Sequence, residues 1–195
     1  MEVKETAKTY ERYTYADYAR WDDEGRYELI DGAVYMMASP SQAHQEVLVE
    51  LCGQFRGILK DKPCKVFVAP FDVCLNGAGD EDDTVVQPDI LVVCDKSKLD
   101  GKRCNGAPDM VAEILSPSTS GRDRFIKFNK YLQAGVREYW IVDPTDKIVT
   151  VYILKDGEYF SRVYGSADEG STAEAPVNVA EGCKINIKEL FGEEI

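Results

Sequence analysis

Apolar and polar positions recur along this chain with two periods, and each period predicts a type of element. In "SPSQAHQEVLVELCGQFRGILKDK", residues 39–62, the apolar positions follow helical spacing. His44, Val47, Leu48, Leu51, Phe55, Ile58 and Leu59 fall on one face. Ser39 is placed to cap this helix with Pro40 at its first position, and Lys60-Asp61-Lys62 lead to Pro63 and its end. "RDRFIKFNKYLQAG", residues 122–135, predicts a second helix stopped by Gly135. Asp123, Lys127 and Tyr131 share one stripe of it, and Phe125, Phe128 and Leu132 form the neighbouring apolar stripe. "TYADYARWDDEG" predicts a short helix ending at Gly25.

Strand patterns fill most of the remaining chain. "RYELIDGAVYMM" reads as a hairpin, because Asp-Gly is the strongest short turn signal between two such runs. "CKVFVAPFDVCL" predicts one bent strand or two strands broken near Pro70. "VVQPDILVVC" predicts a strand from about Asp89, where a proline is tolerated at the entry. "APDMVAEIL" and "REYWIVDP" predict two more, the second closed by Pro144. "KIVTVYILKDGEYFSRVYG" predicts a hairpin turning at Asp156-Gly157, and "INIKELFG" a strand edge and a short turn. Alternating strands and helices imply an α/β core with a mixed sheet and antiparallel hairpins. With no repeat and no linker, residues 1–195 read as a single domain.

Composition narrows the class. Hydrophobic residues make up 44%, an ordinary globular share. No apolar run approaches the ~20 residues of a membrane helix. The charged, aromatic start has no signal-peptide core, so a cytoplasmic protein is expected. Six cysteines and one histidine offer no zinc spacing, and the cysteines read as free thiols in a reducing compartment. A net charge of -12 argues against a generic polyanion binder, yet a basic surface can be local. Residues 122–137 carry five basic residues against one acid. "GDEDD", residues 79–83, reads as a solvated acidic loop.

Candidate chemistry begins with "PDMVAEILSPS", where Glu113 interrupts an apolar strand. A lone ionised carboxylate there costs several kcal/mol unless it is paired or bound to a metal. A core salt bridge to Lys127 or Arg137 is the structural explanation. "QPDILVV" supplies the functional one, because it brings Asp89 to the mouth of a second strand. Two adjacent carboxylates repel, and a divalent cation holds both ionised. A water on such an ion can attack a phosphodiester. The accompanying cation is expected two residues after the acid, where this chain has Leu115. Lys127 is the nearest substitute; its alternative role is to pair with Asp123 along the helix. Glu28 reads as a third carboxylate near the metal or as a solvent-side strand residue. His44 reads as a core or boundary histidine, or as a phosphate contact or proton shuttle.

The stretches "YELIDGAVYMMASPSQAH", "QPDILVV", "APDMVAEILSPST", "DRFIKFNKYLQAGVREYWIVDP" and "VTVYIL", in that order, resemble the Uma family of restriction endonucleases within the PD-(D/E)XK superfamily. They span about residues 27 to 153. The resemblance implies a restriction-endonuclease-like α/β fold, a mixed sheet flanked by helices, and a DNA endonuclease dependent on Mg2+ or Mn2+. Carried over by motif, Asp89 and Glu113 are catalytic metal ligands, and Lys127 takes a migrated lysine position. Leu115 departs from the pattern. Arg122, Arg124 and Lys130 are candidate phosphate contacts. Paired cuts on a palindrome would make a homodimer natural. Two other classes compete: a non-catalytic interaction or assembly module that keeps the fold, and a hydrolase of a small phosphorylated substrate.

Overall fold

The computed structural model describes residues 11–116, 121–165 and 173–191, with residues 122–124 described by backbone only. In chain order the elements are α1 (Tyr15–Tyr18), β1 (Tyr27–Ile30), β2 (Ala33–Met36), α2 (Gln42–Leu59), β3 (Lys65–Val68), β4 (Val73–Cys74), β5 (Val85–Val86), β6 (Ile90–Val93), β7 (Cys104–Asn105) and β8 (Met110–Ile114). A π-helical segment, Arg122–Lys127, then runs into α3 (Phe128–Ala134), followed by β9 (Glu138–Asp143), β10 (Ile148–Lys155), β11 (Glu158–Gly165), β12 (Glu174–Val177), β13 (Cys183–Asn186) and α4 (Ile187–Leu190). The fold is mixed α/β, as the alternating patterns imply.

The six-stranded sheet, in order β11-β10-β9-β8-β6-β3, is the spine. Its central pair, β8 and β9, is parallel, and all its other pairs are antiparallel. Side-chain parity sorts the two faces. Met110, Ala112, Ile114, Ile90, Val92, Trp140 and Val142 point into one core, which α2 and the β12–β13 hairpin cover. Val111, Leu115, Leu91, Val93, Tyr139 and Ile141 point into a second core, built with Tyr131 of α3 and residues of the other sheet. That other sheet, in order β2-β1-β5-β4-β7, begins with the Asp31-Gly32 hairpin. Asp31 (φ 52°) and Gly32 (φ 75°) are both left-handed, which is the geometry of a two-residue turn matched to strand twist.

Several expectations change. Ser41, not Ser39, caps α2: its hydroxyl accepts from the His44 N–H, so Ser39 and Pro40 precede the helix. A cap is chosen by which hydroxyl meets a free N–H, and one more residue of extended chain moves it. The stripe Phe125–Phe128–Leu132 does not persist. Phe128 packs on Tyr139, Tyr152 and Tyr159, while Phe125 is 70% exposed. A π turn advances less per residue than an α turn, so a spacing of three no longer returns to one face. The acidic loop is only partly solvated. Asp82 is buried and accepts from the N–H groups of Asn76, Ala78 and Thr84, so its carboxylate organises the loop.

The cysteines are not all free. Cys64 and Cys94 form a disulfide, and Cys52, Cys74, Cys104 and Cys183 are free thiols. The cause is register: Lys65 pairs with Val93 across β3 and β6, which sets Cys64 opposite Cys94 just beyond the strand ends. Among the described residues, no helix is long and apolar enough to cross a membrane.

Candidate active site

The same logic of register builds the site. β6 and β8 pair Ile90 with Ala112 and Leu91 with Val111. Carried one residue past the start of β6, this register sets Asp89 opposite Glu113. Directly opposed residues have Cβ atoms roughly 4.5–5.5 Å apart. Asp89 then bends across the neighbouring strand: its Oδ2 accepts from the Ile114 N–H at 2.8 Å and meets His44 Nε2 at 3.1 Å. His44 is buried near the start of α2, and contact with a carboxylate assigns the proton to Nε2. Its Nδ1 has no hydrogen-bond partner among the described residues. His44 therefore fixes the Asp89 side chain.

Glu113 has the parity of Val111 and Leu115, so it faces α3. Lys127, at the end of the π turn, donates to Glu113 Oε1 at 2.9 Å, and the Tyr131 hydroxyl donates to the same oxygen at 2.6 Å. Burial, and then the neighbouring Glu113, push the Tyr131 phenol well above its ordinary range, so it remains a donor. The Lys127 ammonium also lies 2.7 Å from Glu28 Oε1 on β1. Glu28 is 0% exposed, and Glu113 and Lys127 are each 3% exposed. Glu28 is thus an interior residue and not a solvent-side one. Its Oε1 also accepts from the Gln87 N–H at 2.9 Å. Gln87 in turn accepts from Arg26 and donates to Tyr18 and Asp72.

These groups surround a cleft of about 110 Å³ lined by Glu28, Asp89, Glu113, Lys127 and His44, with Arg26, Gln87 and Ser116. Three carboxylates there face two permanent cations, Lys127 and Arg26. Leu115, in the position expected to hold the lysine, is buried in the second core. The helix supplies the ammonium that the strand does not.

Other assignments divide. Arg137, the alternative partner for Glu113, pairs instead with Asp109. Lys130 pairs with Asp31 of the hairpin turn at 2.6 Å and does not line the cleft. The side chains of Arg122, Asp123 and Arg124 lie outside the described residues. Two participants escaped the sequence reading. The sequence shows Tyr131 on the Lys127 stripe with no role attached, and Gln87 only as the residue before Pro88-Asp89.

A hard divalent ion fits part of this set. Asp89 and Glu113 are oxygen donors on one cleft, and Asp89 Oδ1 accepts no hydrogen bond among the described residues. Magnesium is commonly held by one or two carboxylates and retains waters. Among the described residues no group of three or more His, Cys, Asp or Glu side chains is arranged to hold a metal. A site here would accordingly be a two-carboxylate one, with Glu28 engaged by Lys127 and Gln87.

The mixed α/β fold thus brings Asp89 and Glu113 to one cleft with Lys127 beside them. Residues 15–186 match the Uma2 family, described as "Putative restriction endonuclease", and the chain belongs to that family. Two uncharacterized proteins of Synechocystis sp. are similar. One is 28% identical over 156 residues, covering 78% of this chain and 80% of the relative. The other is 24% identical over 135 residues, covering 67% and 74%. The fold matches the crystal structure of a putative nuclease belonging to DUF820 from Anabaena variabilis, with a TM-score of 0.71 and 23% identity over 91% of this chain and 97% of that one. Family and fold together support a nuclease-like function.

Proposed function

We propose that the cleft hydrolyses phosphodiester bonds of DNA with the help of a divalent metal ion, Mg2+ or Mn2+. One observation carries this reading: Asp89, just before β6, and Glu113 of β8 line one cleft that also receives the Lys127 ammonium. Asp89 and Glu113 would hold the ion. When bound, it would supply a polarised water and neutralise charge on the phosphate.

The chain's own residues do the rest. His44 and the Ile114 N–H hold Asp89 by one oxygen and leave the other turned to the ligand. Tyr131 and Lys127 orient Glu113 through Oε1. Lys127, anchored by Glu28, places a positive charge where negative charge develops on the scissile phosphate. The anchor limits how far the ammonium must reorganise during reaction. The protein would act as a homodimer in the cytoplasm.

The network itself favours a second reading. Lys127 is neutralised by two glutamates in the interior, an arrangement that also serves a non-catalytic module with a nuclease-like fold. Incubation of supercoiled and oligonucleotide DNA with Mg2+ or Mn2+, for the parent and Glu113→Gln, separates the two. Cleavage by the parent and not by the variant is expected. A parent that cuts no DNA under either metal would support the non-catalytic module.

A further inference from the structure

The expected basic surface, residues 122–137, is largely neutralised where it is described: Lys127 pairs with Glu28 and Glu113, Lys130 with Asp31, and Arg137 with Asp109. Five cations without an ion pair among the described residues gather elsewhere. A groove of about 590 Å³ runs between the end of α2 and the edge strand β3. Arg56, Lys60, Lys62, Lys65 and Lys96 line it, all five exposed, and no acidic residue lines it. Each is without an ion pair among the described residues. The whole chain carries 35 acids against 23 basic residues, so such a lining runs against composition. A lysine on an edge strand also discourages edge-to-edge pairing. That role would explain Lys65 alone, and not the three cations from α2 and its exit or Lys96 beyond β6.

The floor of the groove is apolar and includes Phe67 and Phe71, stacked at 4.6 Å between ring centroids and 8° between planes. The groove adjoins the cleft. Val68 and Pro70 line the groove, while Ala69 between them lines the cleft and donates its N–H to the Asp89 carbonyl. The groove and the cleft thus share this short segment of chain, next to Asp89.

We infer that this groove binds a single-stranded segment of DNA and guides it to the cleft. The cations meet successive phosphates, and the aromatic floor accepts bases, which stack without regard to sequence. A duplex would keep its bases inside and leave the aromatic floor unused. This inference rests on the nucleic-acid reading of the cleft, but binding can be measured without cleavage.

The test is fluorescence anisotropy of a labelled single-stranded oligonucleotide in EDTA, across a salt series. The proteins are the parent and Lys60→Gln/Lys62→Gln/Lys65→Gln. All three lysines are exposed, so the triple variant should keep the parent's melting temperature. Five phosphate contacts give a slope of log affinity on log salt of about -3.5, and the triple variant should fall to about -1.4. Its affinity at low salt should drop roughly tenfold or more. Parent-like binding by the triple variant would overturn the inference. So would equal affinity for a duplex of the same length, or triple-variant-sensitive binding to phosphatidylserine vesicles as tight as to the oligonucleotide. Binding in the groove by a protein that never cleaves would leave this inference standing and sink the nuclease reading alone.

Discussion

Lys127 reaches Glu28 at 2.7 Å, so the helix that follows β8 is tied through one buried ammonium to the first hairpin of the chain. The same ammonium contacts Glu113. On the proposed reading, chemistry and stability both draw on this one side chain, and the two are separable by experiment. Lys127→Met removes the cation shared by two buried carboxylates and should cost about 3–5 kcal/mol of stability. This is far more than an exposed pair with Asp123 would be worth. Cleavage should fall ~100-fold or more, the cost of losing a preorganised charge. Adding Glu28→Gln should restore part of the stability and none of the cleavage. A Lys127→Met variant that cuts DNA like the parent would remove Lys127 from the mechanism.

Metal binding is read independently of cleavage. Calorimetric titration with Mn2+ should give saturable heat for the parent and little for Glu113→Gln, which keeps shape but loses a charged ligand. Millimolar Mg2+ should raise the parent's melting temperature by mass action. A melting temperature unmoved by either ion would count against the two-carboxylate site.

Glu138 predicts a pH dependence remote from the cleft. It is buried under Trp140, Asn178 and Val179, and burial raises its pKa above the usual 4.5 despite their hydrogen bonds. The folded state thus holds this proton more tightly than the unfolded state. Its stabilising contribution is complete below pH 4.5 and is lost as pH rises through the raised value. Glu138→Gln cannot titrate. The stability of the parent relative to the variant, from urea unfolding at a series of pH values, should fall as pH rises from 4.5. A parent that gains stability relative to the variant over that range would reverse the assignment.

Thiol counting tests the disulfide. Unfolded without reductant, the protein should titrate as four thiols, and as six after reduction. In the native state burial pushes the Cys74 thiol up to about 12 and that of Cys104 to about 11. Cys52 and Cys183, which are partly exposed, should therefore react first. Six thiols in the unfolded, unreduced protein would show that Cys64 and Cys94 are not joined.

What the sequence by itself determined is local. The Asp31-Gly32 and Asp156-Gly157 turns need left-handed backbone that their residues supply, and both hairpins form where they were expected. The inward face of α2 follows from its 3.6-residue period, and its buried residues include His44, Val47, Leu48, Leu51, Phe55 and Leu59. Glu113 was conspicuous because a carboxylate in an apolar strand needs a partner. Which partner it takes was decided by tertiary structure alone. The β6–β8 register brings Asp89 opposite Glu113, and the packing of β1 against β5 buries Glu28 beside Gln87. The π turn places Lys127 at both glutamates while leaving Phe125 in solvent. The Cys64–Cys94 pair and the cation-lined groove likewise join residues far apart in sequence. Periodicity reports which face of an element is buried. It carries no record of strand register or of the neighbour that the buried face meets, and those two relations assemble the site.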